Sequence, residues 1–293
     1  MTIISIITAF ALCHFIRELG ALRRYEWMGA WARFGGDHLS GLPGWNGVTG
    51  FFVLLATPLL ALALLNGLLT ALLGVIGAFL LALAVLVHCF GPRDLDTDVN
   101  AVLGAGDDGA RDEALATLLG GPVPDDEDIC RRRAIEAVFR EALRRWFAVI
   151  FWFALLGIHG ALLYRMAAWL RDGDFGFDDE LRALLARLAQ VMEWPVAQLM
   201  TLSLAIATDF DSVAKAWRRY HEDRGHGLFD AENGFLLTSA RHVVLSGGAA
   251  RDGYADQLTG PQAALQLSMD LVWRILAVWM FVLALLLLVD VIA

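Results

Sequence analysis

The sequence predicts an all-α, polytopic helical membrane protein with about five transmembrane helices joined by helical cytoplasmic loops, and three observations lead there. Apolar residues make up 58% of the 293-residue chain and charged residues only 19%, whereas a soluble domain carries about a quarter of its residues charged. The stretch 38–92 contains no Asp, Glu, Lys or Arg, far beyond the roughly 20 apolar residues that one spanning helix needs. No segment of useful length alternates polar and apolar residues in the manner of a half-buried strand.

Residues 1–47 read as an interfacial N-terminal segment. The apolar run Thr2 to Ile16 is short for a span and contains His14, so it is expected to lie at the interface or pack on the bundle. No basic residue precedes that run, and Arg17, Arg23 and Arg24 follow it, so it reads as retained rather than as a cleaved leader. Residues 48–90 form a transmembrane hairpin, Val48 to Leu65 and Leu68 to His88, with its break expected at Asn66-Gly67 and its start marked by Pro43, Gly44 and Trp45. Residues 91–145 form a helical cytoplasmic loop. In it, Asp125 to Asp128 precede Arg131 to Arg145, acid first and base last as a helix dipole prefers, and the pattern runs on into the next membrane helix.

Residues 146–208 hold two further spans. The uncharged window Trp146 to Tyr164, flanked by Arg144-Arg145 and Arg165, is clear; Leu184 to Thr208 is interrupted by Arg187, Glu193, Pro195 and Gln198. Charge bias supports counting it. With five spans, Arg93–Arg145, Lys215–Arg251 and Arg17–Arg33 share one face with eight, six and four basic residues, against four on the other, the asymmetry that places a face in the cytoplasm of a bacterial inner membrane. Residues 209–270 are a second helical cytoplasmic loop, in which Phe210, Val213, Ala214 and Trp217 recur at helical spacing. Residues 271–293 are the last span, with Arg274 and Asp290 near its ends. The whole chain, 1–293, is read as a single membrane domain without internal repeats.

Net charge is −9, which excludes nucleic acid as a partner because phosphate binding needs a basic surface. Cys13, Cys89 and Cys130 have no metal or redox spacing and read as isolated thiols. Gly104, Gly106 and Gly109 fit a dinucleotide pattern, but no strand precedes them and Asp107-Asp108 would repel a pyrophosphate, so a solvated turn is expected. The Asp96-Thr97-Asp98 run begins like a calcium loop yet has Ala101 where glycine is needed. The patch from Asp172 to Glu180 reads as a solvated loop, with weak divalent-ion binding the alternative. His88-Cys89 reads as a packed pair, and His159, deep in an uncharged window, as an interhelical hydrogen-bonding or functional position. No catalytic nucleophile, metal site or cofactor is expected.

The segment EAVFREALRRWFAVIFWFALLGIHGALLYR, Glu136 to Arg165, resembles the AmpE family of inner-membrane proteins. The likeness extends to the uncharged hairpin, GPRDLDTDVNAVL after it, MEWPVAQL, WRRYH and the C-terminal span. That resemblance implies a regulatory or sensory role linked to β-lactamase induction or envelope response. AmpE proteins in turn resemble the CobD/CbiB adenosylcobinamide-phosphate synthases, which join an amino-alcohol phosphate to a corrinoid carboxylate using ATP. The synthase run E-N-T-S-D falls on Arg140, Glu141, Ala142, Leu143 and Arg144, so the expectation is a synthase-like scaffold without the ligase activity. An ATP-dependent membrane ligase is the alternative, and a transporter using Asn66, His159 and Asp290 a further one. The candidate ligand site is Arg93, Asp94, Glu136, Arg140, Arg144, Trp217, Arg218 and Glu232, expected to form a basic and aromatic face at the membrane boundary. Its expected partners are the lipid bilayer and an anionic small molecule or cell-wall-derived ligand.

Overall fold

The computed structural model describes residues 2–15, 25–91, 93–224, 233–247 and 261–288. Among the described residues all regular structure is helical: α1 (Thr2–Phe15), α2 (Glu26–Leu39), α3 (Val48–Cys89), α4 (Leu95–Leu103), α5 (Asp108–Leu119), α6 (Glu127–Ala142), a π-helical segment (Leu143–Phe147), α7 (Ala148–Asp172), α8 (Asp179–Ala207), α9 (Phe210–Arg224), α10 (Gly234–Leu245) and α11 (Pro261–Leu288). Three helical stretches are long and apolar enough to cross a membrane, Val48–Cys89, Glu127–Asp172 and Gln262–Leu286. The chain is an all-α membrane protein. The second stretch confirms that the helix begun by the acidic run at 125–128 continues through the arginines into the apolar window. The expected segment Leu184 to Thr208 is helical as far as Ala207, within α8, which carries Arg187 and Glu193 and is not one of those three.

The chain divides into two compact units, one of Met1–Pro92, Ala148–Met192 and Leu286–Ala293, the other of Arg93–Phe147 and Glu193–Leu285. In the first, α1 packs on α3 and α7, with Ile6 and Ala9 fully buried. Helix α3 leaves Phe52, Leu60, Leu64, Leu72 and Ile76 largely exposed, Leu64 by 77%, as a lipid-facing helix does.

The break in α3 lies at Gly74, not at Asn66-Gly67. Gly74 takes φ 60°, ψ −141°, a conformation essentially restricted to glycine. A Cβ on Gly77 would collide with the carbonyl oxygen of Leu69. In a straight helix residues eight apart are separated by about 12 Å, so the chain turns a sharp corner. Asn66 and Gly67 stay helical because the corner needs a second glycine three residues on to clear a carbonyl, as Gly77 does after Gly74, and Thr70 stands at that place after Gly67. Helix α7 repeats the device inside the uncharged window Trp146 to Tyr164 expected to span. Gly157 takes φ 64°, ψ −150°, and a Cβ on Gly160 would strike the Trp152 carbonyl oxygen. Both corners read Gly-x-x-Gly with the obstructing carbonyl eight residues before the second glycine.

Polar anchors fasten the end of α3 to its neighbours. Arg165, 6% exposed, donates from Nε to the Cys89 carbonyl at 2.7 Å, and its guanidinium carbon lies 5.9 and 5.8 Å from the Tyr25 and Tyr164 ring centroids, within cation–π range. The Tyr25 hydroxyl donates to the His88 carbonyl at 2.7 Å, and Trp27 Nε1 donates to His88 Nε2 at 3.0 Å. His88 and Cys89 are therefore packed anchor positions. Trp152 Nε1 donates to the Met192 carbonyl at 3.0 Å.

In the second unit α4 and α5 pack on α6, and α10 packs on α6 and α9. The caps explain where these helices start. The Asp107 side chain accepts from Ala110 N at 2.7 Å and that of Asp126 from Ile129 N at 2.9 Å, filling amides that a helix start leaves open. The stretch 104–107 is thus a turn that ends in the Asp107 cap, and Gly109 already lies in the first turn of α5. Ile135, Phe139, Phe147, Phe235 and Leu236 form a core exposed by 1% or less. Helix α11 joins through Trp273, whose ring lies 5.4 Å from that of Trp146, and through Trp279, which lies 5.1 Å from Phe147 and donates to Ser203 Oγ at 3.0 Å.

Candidate functional site

The charged residues of the second unit gather where α6 passes into the π-helical segment. Hydrogen bonding of the i→i+5 type inserts an extra residue into the turn, a form frequent at functional sites. Here it presents Arg144 and Arg145 in succession, and each meets a different acid. Arg145 donates from Nη1 to Asp98 Oδ2 at 2.7 Å and to the Arg93 carbonyl at 3.1 Å, and from Nε to Glu141 Oε2 at 2.8 Å. Arg145 and Asp98 are each only 7% exposed, so this is a desolvated pair whose value depends on every donor being used. Arg93 Nε stands 3.8 Å from Asp98 Oδ1 on the solvent side of it.

Arg144 forms an ion pair with Glu193, Nε to Oε1 at 3.4 Å. Glu193 is 2% exposed and accepts from Asn233 Nδ2 at 3.0 Å. Glu136 Oε1 accepts from Arg241 Nη1 at 2.7 Å, joining α6 to α10. Of the sequence-predicted residues, then, Arg93 adjoins Asp98, Arg144 adjoins Glu193, and Glu136 adjoins Arg241. Asp94 is half-buried at the start of α4, and Arg140 is half-buried on α6. The Trp217 ring lies tilted at 40° against that of His221 with centroids 4.2 Å apart, while the exposed Arg218 donates to the Ala214 carbonyl at 3.4 Å. Glu232 and Pro92 lie outside the described residues.

Asp98, Arg145, Glu193, Asn233 and Arg241 were absent from that prediction. Two of them carried a sequence signal. Glu141 and Arg145 stand at the i, i+4 spacing of a helical ion pair, and Glu193 is the lone charge in an apolar stretch, where an acid demands a partner. Asn233 and Arg241 carried none, because their partners are 40 and 105 residues away.

A family model described as CobD/Cbib protein matches residues 6–227. This chain belongs to the CobD/CbiB family. It is 28% identical over 173 residues to the cobalamin biosynthesis protein CobD of Stutzerimonas stutzeri strain A1501, covering 54% of this chain and 55% of that protein. It is 30% identical over 224 residues to the cobalamin biosynthesis protein CobD of Rhizobium meliloti strain 1021, covering 73% of this chain and 64% of that protein. The chain thus spans between about half and just under two thirds of the curated relatives it matches. No solved structure matches. The CobD/CbiB match runs from within α1 to just past α9, and so takes in Asp98, Glu136, Glu141, Arg145 and Glu193; α10 and α11 follow it.

Proposed function

We propose that this chain is a membrane-embedded protein of cobalamin biosynthesis, an amide ligase of the CobD/CbiB kind that joins an amino-alcohol phosphate to a corrinoid carboxylate with ATP. The observation that carries it is the family match across 6–227, reinforced by two relatives named as cobalamin biosynthesis proteins. In this reading Arg93, Arg140, Arg144 and Arg218 supply charge for phosphate or carboxylate groups, with Trp217 as an apolar wall and Asp94, Glu136 and Glu232 as polar positioning groups. Arginine suits that task because its planar fork meets such oxygens in pairs. The polar helices of the second unit then face the cytoplasm of a bacterial inner membrane, where ATP is available.

The second reading is a regulatory or sensory protein of the AmpE type, on the same scaffold but without turnover. Its support is that Glu136 and Glu141 are each held by an arginine, Arg241 and Arg145, rather than left to position reactants. The test is direct. Purified protein in nanodiscs is given a corrinoid carboxylate, an amino-alcohol phosphate and ATP, and amide product is measured by mass spectrometry. ATP-dependent product supports the ligase. Its absence, in protein that still binds the amino-alcohol phosphate, removes the ligase reading and leaves the regulatory one.

A further inference from the structure

We infer that the groove between α9 and α10 is a self-association surface, and that its occupant is the acidic α5 to α6 region of a second copy of this chain. It needs only the geometry of the second unit and stands whether or not the chain is a ligase. Charge is spread very unevenly along the sequence. The stretch 107–128 holds eight acidic residues and one basic residue, Arg111, a net −7 within a chain of net −9. All eight acids are exposed. Four of them act within the copy: Asp107 and Asp126 cap α5 and α6, Asp108 pairs with Arg111, and Asp128 pairs with Arg131. The other four, Asp112, Glu113, Asp125 and Glu127, have no ion-pair partner among the described residues. Like charges so crowded repel one another, and an approaching cationic surface relieves that repulsion.

The groove has the opposite character. It encloses about 870 Å³, and Lys215, Arg219, Arg241 and His242 line it while none of its lining residues is acidic. Asp211 and Glu222 stand toward the ends of α9, outside that lining. Lys215 and Arg219, four apart, share one face of α9. Both are exposed and without an acidic partner among the described residues. Glu136 holds Arg241 at the groove wall. The two faces do not satisfy each other within one copy. Helices α5 and α10 each pack on α6, the groove shares no residue with the cavity that Asp112, Asp125 and Glu127 border, and no ion pair joins the two faces among the described residues. Two copies supply what one lacks. Complementary charge of this kind steers association and fixes register. A small anion in the groove would leave the acidic face unmatched, whereas a second copy engages both. Because unlike faces meet, the contact is head-to-tail and closes into a ring or runs on as a row.

The test measures the protein mass of the full chain in detergent by light scattering. At low salt the unmodified chain should show at least twice the 32.1 kDa of one copy. At about 1 M salt, where the Debye length is about 3 Å, the mass should fall to that of one copy. Lys215→Glu with Arg219→Glu reverses the groove, and Asp112→Lys with Asp125→Lys reverses the acidic face; each pair of changes should give the single-copy mass at low salt. Mixed together, the two variants should associate, because each carries the face that complements the other's reversed one, and the chain bearing all four changes should associate with itself. A folding defect cannot produce such a rescue. Arg182→Gln, an exposed arginine elsewhere, should leave the mass of the unmodified chain unchanged. A single-copy mass for the unmodified chain at low salt, or association that survives either reversal, overturns the proposal. So does failure of the mixture or of the fourfold variant to associate, and that result assigns the groove to an anion other than a second copy.

Discussion

Replacing Arg145 by methionine tests whether the buried charges at the α6 to α7 junction hold the second unit together. Methionine keeps much of the side-chain volume and removes the charge. Arg145 makes bonds of 2.7 Å to Asp98, 2.8 Å to Glu141 and 3.1 Å to the Arg93 carbonyl, and Asp98 is 7% exposed. Taking away one partner of a buried pair leaves the other charge desolvated and alone, at a cost of about 3–5 kcal/mol. Two details set where in that range the result falls. Glu141 is partly exposed and can turn to water, so its loss adds little. Arg93, 3.8 Å from Asp98 and largely exposed, can move in and recover part of the loss, which places the expected destabilisation nearer 3 kcal/mol. The assay is an unfolding titration in mixed micelles, run as a double-mutant cycle with Asp98→Leu. The double variant removes both charges and should recover at least half of the single-variant loss. A loss under about 1 kcal/mol for Arg145→Met, or a double variant no more stable than the single one, would refute the claim that desolvated charge governs this junction.

The corners in α3 and α7 make a second prediction. Gly77→Ala should destabilise by about 1–3 kcal/mol because its Cβ meets the Leu69 backbone, which cannot move aside, whereas Gly36→Ala, with nothing within 4 Å, should stabilise α2 by about 0.5–1 kcal/mol; equal effects in a thermal melt would contradict the corner. Third, the basic bias predicts that both polar segments share the cytoplasmic side. With Cys13, Cys89 and Cys130 replaced, single cysteines at the exposed positions Glu113 and His242 should react with an impermeant maleimide from the same side of an oriented vesicle, and labelling from opposite sides sinks that topology.

Much of the helical architecture was legible because it rests on local chemistry. The uncharged stretch 38–92, the acid-to-base gradient from Asp125 to Arg145 and the Asp126 cap all act within a few residues. The position of the α3 break was not legible. Asn66-Gly67 and Gly74 carry equally good local breaking signals, and the choice depends on which glycine can reach φ near +60° while a second one, three residues on, clears a carbonyl. The candidate site divides in the same way. Spacing alone relates Glu141 to Arg145 and Lys215 to Arg219. It also relates Arg140 to Arg144, but the π-helical segment begins between them, so a rule built on 3.6 residues per turn no longer fixes where Arg144 points. Pairings such as Arg241 with Glu136 are set by how α10 docks on α6, which no local pattern encodes.

The Gly-x-x-Gly corners bear on how such a chain can change over time. A loop absorbs an inserted residue, because its two ends can stay where they were. A corner made by one residue cannot. One residue added on either side rotates everything beyond it by roughly 100° and advances it by about 1.5 Å, which moves the second glycine away from the carbonyl it must clear and turns lipid-facing leucines inward. Length variation is therefore excluded from the flanks of Gly74 and Gly157 and must collect in the connections near 104–107, 120–126 and 173–178. The two cornered helices act as fixed-length rulers for the membrane part of the chain, open to substitution and closed to insertion.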